Sequence, residues 1–181
     1  AYERDWVNRY EHGEFFSADS IKFNDSLKYE TKKGRTVYGG GGIMPDYFVP
    51  LDTTMNSAYV ARLFNTDSSR EFILDFVTKN KANFSNMSMD QYYTSYKVSD
   101  AMLTELTEYG KKNKVEFDAK DFTKSKEYLR ILVKAHLGRQ LYDDNAFYKV
   151  INDINEVYQQ ALNLFDEADR IALAETLEAA V

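Results

Sequence analysis

His12 and His136 are the chain's two imidazoles, and with no cysteine present neither thiolate chemistry nor a Cys/His zinc spacing is available. His12 follows Trp6, Val7 and Tyr10 at helical spacing and directly precedes Gly13, which places it as a favourable cation near the C-terminal end of a short helix. His136 lies one turn beyond Leu132 on the apolar side of a helical pattern, where a hydrogen-bonded core or boundary histidine is a simpler account than a ligand. Neither is positioned as a general base, and no His-x-x-x-His pair exists. Asp143, Asp144 and Asp153 supply oxygens for a hard cation but lack the glycine and spacing of a calcium loop, so helix capping accounts for them. The run Gly39–Gly42 invites a phosphate-binding reading. It carries no Gly-Lys-Ser/Thr and no Gly-x-Gly-x-x-Gly, and Pro45-Asp46 follows where a helix N-terminus should receive the phosphate. No cofactor or metal is expected.

The elements that must position these residues change character along the chain. Four of the eight glycines and both prolines fall between Gly39 and Pro50. Upstream, Tyr2 to His12 predicts one short helix, and Glu14 to Lys33 predicts irregular chain with one or two short strands. Thr36 to Tyr38 and Asp46 to Val49 are expected to flank the glycine-rich turn as strands. From Asp52 onward the apolar residues take helical spacing: Tyr59, Val60, Leu63 and Phe64 after a Thr53 or Thr54 cap, then Phe72, Ile73, Phe76 and Val77 after Ser68 or Ser69. Met102, Leu103, Leu106 and Tyr109 follow a Ser99 cap and stop at Gly110. A long pattern starts at Asp118 or Asp121 and carries Leu129, Leu132, Val133 and Leu137. A last one runs from Phe147 to Phe165 with a break at Asn152-Asp153. The expected fold is therefore mainly α: a C-terminal bundle of five or six helices (52–181), preceded by an N-terminal segment (1–51) with one short helix and a few short β-strands.

Composition restricts the function classes. A charged fraction of 29% and a hydrophobic fraction of 44% are those of a globular protein, and no apolar run approaches the roughly 18 residues of a membrane span. A net charge of -6 with dispersed basic residues argues against nucleic acid as partner. Ala1 to Asp5 carries no apolar segment of an export signal. The 14 Tyr, 12 Phe and 1 Trp are a high aromatic load, and Tyr92-Tyr93-Tyr96 suits either a recognition surface or the core.

The segment Gly34 to Pro50, Gly-Arg-Thr-Val-Tyr-Gly-Gly-Gly-Gly-Ile-Met-Pro-Asp-Tyr-Phe-Val-Pro, resembles a segment of bacterial C-terminal processing peptidases, or tail-specific proteases. The shared kernel is Gly-Ile-x-Pro-Asp, here Gly42, Ile43, Pro45 and Asp46 around Met44. The flanks are similar to one branch of that family, with an insertion resembling Asp5 to Thr31 and a helical region resembling Thr53 to Phe165. The resemblance implies a parent serine endopeptidase in which a lysine, its pKa lowered by burial, activates the serine. It also implies a periplasmic or cell-envelope location and protein or peptide substrates. In that family the serine and lysine precede the Gly-Ile-x-Pro-Asp strand, the lysine one turn after the serine. None of the eleven serines here has a lysine four residues later. The expectation is thus a non-catalytic C-terminal region, inactive alone, whose catalytic pair lies upstream, with Gly42, Ile43, Pro45 and Asp46 structural.

Two other readings compete with it. One is a stand-alone helical interaction module. The other is a bundle that binds a small molecule, supported by the aromatic surplus. A strand at Tyr47 to Val49 without partners also predicts pairing with the N-terminal region or with a second copy in a homodimer.

Overall fold

Gly13 closes the first helix at the position its sequence predicts. A computed structural model describes residues 2–22, 25–31, 36–39 and 47–169, and in it α1 spans Tyr2–Glu11. Gly13 takes φ +79°, a region open to glycine at little steric cost, and its carbonyl accepts from the N–H groups of Phe16 and Ser17. The turn brings aromatic side chains back onto the helix. Trp6 stacks on Tyr10 with ring centroids 5.7 Å apart, and Phe16 meets Tyr10 edge-on at 5.2 Å. Trp6 nevertheless stays 54% exposed.

β1 (Lys28–Glu30) and β2 (Thr36–Tyr38) form an antiparallel ribbon in which Tyr29 faces Val37. The Gly39 N–H donates to the Leu27 carbonyl at 2.8 Å and extends the pairing. Tyr47 to Val49 is irregular chain, not the expected strand. β2 has taken its described partner from upstream residues, and beyond Pro50 the Leu51 N–H donates to the Phe15 carbonyl at 2.8 Å. Those bonds end the segment with no ladder through Tyr47 to Val49. Gly42, Ile43, Pro45 and Asp46 lie outside the described residues, as do residues 170–181 of the expected helical tail.

These elements belong to the first of two compact units, Ala1–Asp52; the second is Thr53–Val181. The regular elements of the second unit's described residues are all helices. α2 spans Ala58–Asn65 and α3 spans Asp67–Phe84. α4 is Met89–Ser95, α5 is Asp100–Lys112 and α6 is Ala119–Lys124. α7 is Lys126–Leu141, α8 is Asp144–Ile151 and α9 is Glu156–Leu162. The mainly α architecture expected from the sequence is the one the chain adopts, with the long patterns subdivided. The Asp118 pattern splits at Ser125 into α6 and α7, and the final pattern breaks at Asn152-Asp153.

Capping differs in detail from the sequence reading. Ser57, not Thr53 or Thr54, caps α2, its hydroxyl accepting the Val60 N–H, while Asp121 of α6 accepts the Tyr59 N–H at 3.1 Å. Thr66, not Ser68 or Ser69, caps α3, because one residue separates α3 from α2 and must serve both ends. Ser88 and Gln91 form a reciprocal capping box that starts α4, a helix the apolar pattern did not reveal. Gly110 does not stop α5. The helix runs through it to Lys112, Asn113 is the cap, and Lys114 beyond it takes the left-handed φ of 61°.

The core is built where α3, α5 and α7 meet. Phe72, Leu103, Leu106, Leu129, Val133 and Leu137 are wholly inaccessible, each contributing on the order of 2 kcal/mol of apolar burial. α2 closes over them with Tyr59 and Leu63, and α4 with Tyr92, whose hydroxyl donates to the Lys134 carbonyl at 2.7 Å. The Tyr92 and Tyr96 rings stack at 4.9 Å, so this tyrosine cluster is chiefly core. Among the described residues no helix is long and apolar enough to cross a membrane.

A candidate ligand groove beside His136

The tight corner between α2 and α3 leaves an opening next to the last turns of α7. Thr66 holds the corner: its hydroxyl bonds the Arg62 carbonyl at 3.0 Å and the Ser68 hydroxyl at 2.8 Å. α3 then starts with its first turn beside α7, against which it packs. Between them lies a groove of about 400 Å³, a volume at the small end of those that hold small molecules.

Its apolar lining comes from Phe64 of α2 and from Ile73 and Leu74 of α3. His136 of α7 stands over this surface, its ring 5.1 Å from Phe64 on one side and 5.1 Å from Phe147 of α8 on the other. Burial first, then the Arg139 charge, pulls the His136 pKa down to about 4. The imidazole is therefore neutral at pH 7, and so weak a base is poorly matched to general-base work there. Of the core or boundary positions expected from sequence His136 takes the boundary one, half-buried between aromatic neighbours at the edge of an opening; its described contacts are those rings and not the expected hydrogen bond.

Charged side chains border the groove. Arg139 lies over the Phe147 ring with its guanidinium carbon 3.8 Å from the centroid, and its Nε donates to Asp144 at 2.7 Å. Arg70 pairs with Asp67 at 2.9 Å. Ser69, 7% exposed, lines the groove from the first turn of α3.

The other residues singled out by sequence are dispersed. His12 sits just past α1, its N–H donating to the Asn8 carbonyl at 2.9 Å. Asp143 caps α8 through the N–H groups of Asn145 and Ala146. Asp144 pairs with Arg139, and Asp153 accepts the Tyr93 hydroxyl at 2.8 Å. Among the described residues no three His, Asp or Glu side chains gather as metal ligands. Within the described helical unit no lysine donates to a serine. The half-buried Lys134 donates to the Tyr93 carbonyl at 2.6 Å, and burial lowers its pKa. Sequence reasoning did not find Ser69, Arg70 or Arg139. The one available signal was Arg139 three residues after His136, which shares its helix face; the α3 residues join them only through the Thr66 corner.

Comparison with known proteins adds one match: a family of unknown function (DUF8443) over residues 59–143, less than half of the chain. That stretch runs from the first turn of α2 to just past α7 and includes the groove. No curated protein matches. No solved structure matches.

Proposed function

We propose that this chain is the non-catalytic C-terminal region of a tail-specific serine endopeptidase. The observation that carries the reading is the segment Gly34 to Pro50, with its Gly-Ile-x-Pro-Asp kernel, followed at Thr53 by an autonomous helical unit. In this reading the N-terminal unit completes the protease core, and the helices support packing, oligomerisation or substrate access. The catalytic serine and lysine lie upstream of Ala1, the substrates are proteins or peptides met by the whole enzyme, and the location is the periplasm or cell envelope. The β1–β2 ribbon exposes Tyr29 and Val37, where core strands of the same enzyme or a second copy of the chain add on.

The coding sequence upstream of Ala1 is the direct test. An open frame holding a serine with a lysine one turn later is the expected result; a start codon with no such pair overturns the proposal. Purified alone, the chain is expected to hydrolyse no peptide. Hydrolysis that survives mutation of every serine contradicts the reading as well. A stand-alone interaction module is favoured by one feature, the exposed apolar residues Val157, Leu162 and Phe165 at the end of the bundle. A homodimer is checked by sedimentation, a strict monomer at micromolar concentration counting against it.

A further inference from the structure

We propose that the groove between α2, α3 and α7 binds a small organic carboxylate with an apolar body. The inference does not depend on the protease reading. Its first support is the division of the lining. Phe64, Ile73 and Leu74 offer an apolar surface to one part of a ligand, while Ser69, His136 and Arg139 offer polar groups to another. Its second support is that two of those polar groups have no hydrogen-bond partner among the described residues. Neither the Ser69 hydroxyl nor a His136 ring nitrogen bonds another described residue, and although Ser69 as a whole is only 7% exposed, these polar atoms stay open to the groove and are not sealed in the core. Polar groups open to a groove are hydrated, so a ligand that replaces that water gains where it restores a hydrogen bond at each of them. A ligand head seated there supplies the missing partners.

Charge selects the head. The charged residues lining the groove are Asp67, Arg70 and Arg139, a surplus of one positive charge, and the amide end of α3 adds to it. Asp144, which pairs with Arg139 from α8 at 2.7 Å, balances that charge from outside the lining; its side chain is 74% exposed, so a ligand carboxylate competes with a solvent-screened partner for Arg139. The Arg139 charge already acts on the His136 ring, which it helps hold neutral. A neutral imidazole donates one hydrogen bond and a serine hydroxyl another, and both are suited to carboxylate oxygens. The volume admits a body the size of a phenyl ring with a short linker and no more than a few residues of peptide.

The test is a nuclear magnetic resonance titration of the whole chain with 4-phenylbutyrate and, in parallel, with its uncharged amide, up to about 10 mM. The expected result is saturable shifts at Ser69, Ile73 and His136. The acid should bind about fivefold or more tightly than the amide, and the His136 pKa should rise in its presence because an anion has arrived beside the ring. Arg139→Gln should weaken the acid about fivefold and leave the amide unchanged. Ser69→Ala gives a second reading that leaves the ion pairs intact, and should also weaken the acid. A leucine-terminated tripeptide, free and C-terminally amidated, separates a chain end from a free acid as the source of the carboxylate. The small acid is expected to bind more tightly than the peptide, and tighter binding by the peptide overturns the assignment to a small molecule. Equal binding of acid and amide, shifts confined to other surfaces, or no saturable shift overturns the proposal.

Discussion

Tyr59 carries a hydroxyl that its environment does not use. The side chain is wholly inaccessible, its oxygen has no hydrogen-bond partner among the described residues, and burial pushes its pKa up to about 12. The ring itself is well placed, edge-on to Phe117 at 5.5 Å. Tyr59→Phe should therefore keep the packing and remove the desolvation cost, leaving stability unchanged or raised by about 1 kcal/mol in urea unfolding; a loss of that size would mean the oxygen has a partner in solution. His136 makes the opposite kind of prediction, one tied to pH. Its folded pKa of about 4 lies below the ordinary value of 6.5, so between those values the unfolded chain binds more protons than the folded one. Stability contributed by this group is full above pH 6.5 and is lost as pH falls toward 4, by on the order of 2 kcal/mol after allowance for its partial contact with solvent. His136→Gln should flatten that part of the stability profile, measured by urea unfolding at successive pH values.

Among the elements, α5 shows how a glycine can be misjudged from sequence. Gly110 suggests a helix end, yet a Cβ there would come 2.6 Å from the Leu63 Cδ2 of α2. The residue is small because another helix passes close by, and the stop falls to Asn113 and Lys114 instead. Gly110→Ala should gain up to about 1 kcal/mol in helix propensity and lose more to overpacking, since Leu63 is fully buried and cannot swing away. A net loss of about 1–2 kcal/mol in thermal unfolding is expected. The α5–α7 junction depends on one guanidinium: Arg130 donates to the Val98 carbonyl and to Asp100, which also receives Lys126 at 2.8 Å. Arg130→Met keeps the apolar stem and removes the donors, and should cost about 1–3 kcal/mol. At this scale the sequence was most legible where apolar period and cap coincided, as at Ser99 before Met102 and Leu103. It was least legible at corners. Nothing local says that Thr66 must end α2 and start α3 together, or that Ser125 divides α6 from α7. The groove depends on the first of these corners, so Ser69 and Arg139 met across elements whose relation only packing decides.

For the molecule as a whole, the division at Asp52 and Thr53 separates two very different stability problems. The helical unit has a continuous core of inaccessible side chains, whereas the described residues of the N-terminal unit offer an exposed aromatic cluster and a ribbon of three-residue strands. A two-stranded ribbon of that length is marginal in water. The N-terminal unit should thus unfold at lower denaturant than the helical unit, in the absence of further chain that packs on it. The stack of Trp6 on Tyr10 turns this into something visible. Trp6 is the sole tryptophan in the chain, so indole emission reports only on the N-terminal unit, while far-ultraviolet circular dichroism is dominated by the helices. A single sample followed by both signals carries its own two-colour label, without any dye.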